Sequence, residues 1–232
     1  MAELDGLIAS RLCRPDDVVL DIGAFHGEST QSYLACGARM VHAFEPTPES
    51  FAVLAKQFAD EPRVCLHNVA VGSTEGMVEF LEQGIAFGKG SIESGFAQRV
   101  AAARASTIER RTVPCTTLDS LNLGAAEFWK IDIEGAENQL FAGAQKTLSA
   151  TPPRILQIEI FDTPYNVEGH RERTLANFDR FFSYCHLAGI TEAGGLGIYD
   201  LSATGQDAIR AAVKASQRGG APTFIFSHES LA

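Results

Sequence analysis

Five short apolar runs, spaced by helix-length segments, constrain this chain more than any other feature. Val18–Ile22, Met40–Phe44, Val64–Val71, Phe128–Ile133 and Arg154–Ile160 each read as a buried strand. Helical spacing lies between several of them, from about Ser29 to Ala38 and from Glu49 to Phe58, where Phe51, Leu54, Ala55 and Phe58 share a face. A helix from about Ala136 to Leu148 follows the fourth run, and another is expected over Arg171–Leu187 before a closing strand at Thr223–Phe226. Strand and helix alternating at this length indicate βαβ units around a parallel sheet.

The rhythm breaks once. Gly72-Ser73-Thr74-Glu75-Gly76 is turn chemistry, and Met77–Leu81 reads as a strand returning in a hairpin. From Gln83 to Arg110 the chain is rich in Gly, Ser and Ala and has no clear period, so a mobile loop that closes over a bound ligand is expected there. Gly194-Gly195-Leu196-Gly197 is a turn, since no helix carrying a Lys-Ser/Thr pair follows it. The expectation is one α/β domain over residues 1–232. Its core spans 16–160, its insert about 73–115, and a helix and closing strands fill 161–232. The sheet is expected to be Rossmann-like, seven-stranded and mostly parallel, in a three-layer sandwich, with a β-hairpin and loop inserted after the third strand.

Asp21-Ile22-Gly23-Ala24-Phe25-His26-Gly27 closes the first strand and opens a helix. Glycines at such a turn let the backbone pass close beneath a ligand. A dinucleotide site requires a middle glycine to admit the pyrophosphate, and Phe25 stands in its place, which disfavours an NAD-dependent oxidoreductase. S-Adenosylmethionine (SAM) has no pyrophosphate, and its ammonium group suits a carboxylate such as Asp21. Glu45, at the tip of the second strand, lies 24 positions after Asp21, where an acid can accept both ribose hydroxyls.

Asp21-Ile22-Gly23-Ala24, Ala43-Phe44-Glu45-Pro46, Asn68-Val69-Ala70-Val71-Gly72, Thr117-Leu118-Asp119-Ser120-Leu121 and Lys130-Ile131-Asp132-Ile133-Glu134-Gly135-Ala136-Glu137 occur in this order. Together they resemble the FkbM-type methyltransferases, over residues 16 to 160. The resemblance implies a class I methyltransferase fold that uses SAM to methylate hydroxyl groups of sugars, polyketides and related small metabolites. It also implies cofactor contacts at Asp21, Gly23, Ala24, Gly27, Thr30, Glu45 and Asn68. The family commonly has Asn where this chain has Phe25.

Catalysis is expected at the tips of the fourth and fifth strands, from Asp132, Glu134 and Glu159, with Asp162 just beyond. A hydroxyl acceptor needs a base or a Lewis acid, and Asp132 with Glu159 are candidate ligands for Mg²⁺. Glu134 and Glu137 can alternatively cap the helix that follows. His26 is a second candidate base. Lys130 shares a strand face with Asp132 and is expected to pair with a buried acid, while Phe128 and Trp129 are core residues.

Composition excludes some rivals. With 19 Lys+Arg against 29 Asp+Glu the net charge is −10, the wrong sign for a nucleic-acid footprint. Asp162-Thr163-Pro164-Tyr165 resembles the tetrad of nucleic-acid amino-methyltransferases, but Thr163 replaces a proline and the segment follows the wrong strand. A SAM-binding protein without catalysis is the remaining alternative. The five scattered cysteines suggest neither a disulfide framework nor a zinc site. A cytoplasmic location is expected, since no basic leader precedes the core and no apolar run nears the roughly 18 residues of a membrane span.

Overall fold

The structure, a computed structural model, describes residues 2–82, 90–104, 107–161, 166–191, 193–201 and 221–231. Helix α1 (Ala2–Leu12) leads into β1 (Val18–Ile22), α2 (Glu28–Ala35), β2 (Met40–Phe44), α3 (Pro48–Gln57) and β3 (Val64–His67). The chain then builds β4 (Ala70–Val71), β5 (Gly76–Glu82), β6 (Gly90–Ser91), α4 (Ser94–Arg104) and β7 (Glu109–Thr116). It returns through α5 (Leu118–Leu121) to β8 (Phe128–Ile131), α6 (Glu137–Ala142), α7 (Gln145–Ala150) and β9 (Ile155–Glu159). Helix α8 (His170–Asp179) and strands β10 (Tyr184–Ile190), β11 (Leu196–Asp200) and β12 (Thr223–Ser227) complete it.

Among the described residues the main sheet has eight strands in the order β11-β10-β12-β9-β8-β1-β2-β3. From β3 to β9 the pairs are parallel, and the pairs of β12 with β9, β10 with β12 and β11 with β10 are antiparallel. The expected seven-stranded sheet is thus corrected to a mixed sheet of eight. The source of the difference is local. The expected helix over 171–187 stops at Asp179, and Tyr184–Ile190 becomes β10 by pairing with β12 and β11 on either side. A turn at Gly194, whose φ is 81°, folds the next segment back as β11.

Alternate residues of the central strands enter opposite layers. Leu20, Trp129, Ile131 and Ile158 pack with Leu140 of α6, Leu148 of α7 and Phe178 of α8. Val19, Val41, Phe128 and Ile155 pack with Ile8 and Leu12 of α1 and Tyr33 of α2. The three-layer expectation holds. The single helix expected over 136–148 is two, broken at Gly143. A Cβ there would stand 2.0 Å from the carbonyl oxygen of Gly72.

The third apolar run also divides. β3 belongs to the main sheet and β4 to a second sheet, ordered β4-β7-β5-β6. The returning strand pairs with β7, from Gly76 opposite Cys115 to Glu82 opposite Glu109. The loop expected over 83–110 carries regular structure where the structure describes it, in β6, α4 and the start of β7. Helix α4 buries Phe96, Ala97, Val100 and Ala101, with Phe96 and Val100 packed on Phe161. Residues 83–89 and 105–106 of that stretch, and Asp162–Tyr165, lie outside the described residues.

Candidate active site

The strand order turns back beside β1, which has β2 on one side and β8 on the other. Crevices beyond the carboxyl ends at such a point bind ligands. A cavity of about 230 Å³ opens there, and four of the expected site residues line it: Gly23, Glu45, Asp132 and Glu134. Asp21, Ala24, Gly27, Thr30, Asn68 and Glu159 stand outside its lining.

Gly23 shows why this turn excludes side chains. Its φ is 86°, and a Cβ would fall 1.9 Å from the carbonyl oxygen of Asp132. The first and fourth strand tips therefore pass in contact, and the amide of Asp132 donates to the carbonyl of Ile22 at 3.0 Å. Gly27 has φ 94° and abuts Phe58 and Leu54, seating α2 on α3. Phe25 and Glu134 line the cavity with φ of 49° and 54°, left-handed values that cost a non-glycine residue energy. Such strain concentrates at functional sites.

Glu45 is 6% exposed and held from both sides. Its Oε2 accepts from the Phe25 amide at 3.1 Å, and its Oε1 accepts from the amide and hydroxyl of Thr47 at 2.9 and 2.6 Å. Burial pushes its pKa up, and the Thr47 and Phe25 donors pull it back. Asn68 donates to the carbonyls of Glu45 and Pro46 at 2.8 and 3.2 Å, fixing the tip of β2 without lining the cavity. Ala24 donates its amide to the carbonyl of Phe44, tying the same two tips.

A buried polar layer lies behind the rim. Thr30 donates to Asp21 Oδ2 at 2.6 Å, and Lys130 Nζ stands 3.8 Å from Asp21 Oδ1 and 3.6 Å from Asp132 Oδ2. The expected pairing of Lys130 with a buried acid is thus present, with two acids. Burial alone would lower the Lys130 pKa, but the charges of Asp132 and Asp21 outweigh it and the net shift is upward. Burial raises the pKa of Asp21, against Lys130 and Thr30. Glu159 is 3% exposed and is driven well above its ordinary value by burial and then by Asp132. Glu159 Oε2 and Asp132 Oδ1 are buried without a hydrogen-bond partner.

Helix α6 has no side-chain cap at Ala136; Glu137, in its first turn, accepts from the Gly135 amide at 2.9 Å and pairs with His170 Nε2 at 2.8 Å. The His26 ring stacks on Phe25, centroids 3.7 Å apart, and is outside the cavity lining. The inserted sheet supplies a wall that sequence reasoning missed: Phe80, Glu82, Gly90 and Ile92. Arg111 of β7 anchors that wall, contacting Glu82 at 2.9 Å and Glu49 of α3 at 2.6 Å. These contacts cross long sequence separations, and no local pattern signals them.

The carboxylates do not fit a divalent ion. A Lys130 ammonium already faces Asp132, and burial raises the pKa of Glu159, which works against its serving as an anionic ligand. Among the described residues, the group that places three ligand atoms within 4.8 Å of one another is His42, Cys65 and His67, none of them a carboxylate. The expectation of Mg²⁺ is therefore not supported.

Fold and cavity together define a class I methyltransferase architecture. The sequence matches the family described as the methyltransferase FkbM domain over residues 21–188, more than half of the chain, and the protein belongs to that family. Membership implies use of SAM. The structure is similar to methyltransferase FkbM from Methylobacillus flagellatus KT, at 18% identity and TM-score 0.51, covering 80% of this chain and 43% of that one. The chain thus spans less than half the length of that protein, and the likeness speaks for the fold alone. An rRNA methylase from Streptococcus thermophilus is 10% identical with TM-score 0.49, covering 98% of this chain and 95% of that one. A putative rRNA methylase from Clostridium thermocellum is 9% identical with TM-score 0.47, covering 95% and 90% respectively. Similarities this distant carry no argument about substrate. None of the curated proteins matches the chain. Among the described residues no helix is long and apolar enough to cross a membrane.

Proposed function

We propose that this chain is a SAM-dependent O-methyltransferase acting on a hydroxyl of a small molecule such as a sugar or polyketide. The observation that carries the reading is the cavity at the switch point, lined by Glu45 at the β2 tip and by Asp132 at the β8 tip, the latter with a buried Oδ1 that has no hydrogen-bond partner. Bound SAM supplies an electrophilic methyl group on a sulfonium sulfur. Glu45 accepts the ribose hydroxyls with the oxygen lone pairs left over from Phe25 and Thr47, and the apolar wall of Phe80, Val69 and Ile92 receives the adenine. Gly23 lets the backbone close beneath the ligand, with Asp21, Ala24, Gly27, Thr30 and Asn68 shaping the turns that hold it.

The Asp132 carboxylate takes the proton of the acceptor hydroxyl as its oxygen attacks, and Lys130, 3.6 Å from Oδ2, steadies its charge. Glu134 faces the same space, and Glu159, whose pKa burial raises, lies outside the lining. No metal is required in this scheme. A net charge of −10 speaks against an RNA acceptor. Incubation with methyl-labelled SAM and a panel of polyols, glycosides, phenols, amines and RNA tests the assignment. Label on a small-molecule oxygen is expected, and label on RNA or on amines alone overturns it.

A further inference from the structure

We propose that His42, Cys65 and His67 form a binding site for one borderline-soft transition-metal ion, of which Zn²⁺ is the type. The three side chains lie on one face of the sheet at its β3 edge. His42 pairs across the strands with Cys65, and His67 follows two residues later on the same strand. Paired residues in a parallel sheet share a face, and residues two apart on a strand do as well. The opposite face is taken by Ala43, Val64 and Leu66, which pack on Leu54 and Phe58.

Each residue offers one ligand atom, all within 4.8 Å of one another, and all three side chains are half-buried. His42 Nδ1 and His67 Nε2 stand 3.1 Å apart. Two nitrogens on a tetrahedral zinc, each at about 2.0–2.1 Å from the metal, would be separated by roughly 3.3 Å. Little movement is needed to admit an ion. The His67 ring is already fixed by stacking on Phe44, centroids 4.4 Å apart and planes 11° from parallel. Burial lowers the pKa of both imidazoles, His67 to about 4 with the nearby His42 adding to it, so both rings keep a lone pair near neutral pH. Two imidazoles and a thiolate suit zinc or cobalt far better than magnesium or calcium. On binding, a sulfur–metal bond forms and the Cys65 thiol releases its proton to solvent. Three protein ligands leave the fourth position open to water or a small anion.

The competing account is a hydrogen bond between His42 and His67 with Cys65 merely adjacent. Chelator-stripped full-length protein titrated with Co²⁺ separates the two. The site predicts saturation at one equivalent, with the ligand-field bands of a tetrahedral ion and a sulfur-to-cobalt charge-transfer band. Cys65→Ser should abolish the charge-transfer band, and His67→Gln should weaken binding at least tenfold. If either variant misfolds, alkylation of the unmodified protein remains decisive. Zn²⁺ should slow labelling of Cys65 at least tenfold while leaving the half-buried Cys36 and Cys185 unchanged. Absence of a sulfur-to-cobalt band, or Cys65 labelling indifferent to Zn²⁺, overturns the site.

Discussion

The tips of β2 and β8 both present carboxyl groups to one crevice, with Glu159 of β9 buried outside its lining, yet they are finished to different degrees. At β2 both oxygens of Glu45 already accept hydrogen bonds from Phe25 and Thr47, and Asn68 pins the backbone on either side. At β8 and β9, Asp132 Oδ1 and Glu159 Oε2 have no hydrogen-bond partner, and Lys130 behind them is the counter-charge. A buried polar atom without a partner costs about 1–3 kcal/mol, which a ligand can recover by supplying the missing bond. Under the proposed function, the first region is preorganised for a cofactor of constant shape, and the second is left incomplete until an acceptor arrives.

The comparison is broken most forcefully at Asp132. Asp132→Asn keeps the shape but removes the proton acceptor, and turnover should fall by roughly 10²–10⁴-fold while SAM affinity stays within about twofold. Single-turnover kinetics beside calorimetry check it, and equal losses of binding and turnover would merge the two regions into one. Lys130→Met comes next. It leaves Asp21 buried without its counter-charge and should lower folding stability by about 3–5 kcal/mol, read from urea unfolding. A variant as stable as the parent would mean that the polar layer carries no charge.

The smallest effect is expected at Glu159, and its sign follows from its raised pKa. The folded state holds the proton that the unfolded state releases near 4.5, the ordinary glutamate value. The stabilisation is fully present below that pH and is lost as pH rises toward the folded value. Glu159→Gln does not titrate, so its stability relative to the parent should climb with pH above about 4.5. Parallel pH profiles for the two proteins would show that Glu159 ionises normally.

How much of this was legible in the sequence depends on the range of the contacts. Asp21–Gly27 and Glu45 were legible because a strand, a glycine turn and a helix start are local patterns with a mechanism. The reason Gly23 must be glycine was not, because the obstructing carbonyl belongs to Asp132 on another strand. Helix α4 was hidden by its own composition. Its buried stripe includes Ala97 and Ala101, small residues that give little amphipathic contrast. The start of β10 reads as helix because Phe181, Phe182 and Cys185 continue the apolar spacing of Phe178, and tertiary pairing with β12 decides otherwise. The cluster of His42, Cys65 and His67 depends on cross-strand register, which spacing alone does not reveal.

The central claim is that the switch-point cavity is the cofactor site, with Glu45 as its fixed end. Calorimetric titration of S-adenosylhomocysteine, the demethylated product of SAM, into the parent protein and into Glu45→Ala tests this most directly. Loss of the hydrogen bonds to a buried carboxyl group should weaken binding by about 1–3 kcal/mol, with the folded structure intact by circular dichroism. Binding to Glu45→Ala with the parent's affinity would contradict the account and place the cofactor elsewhere.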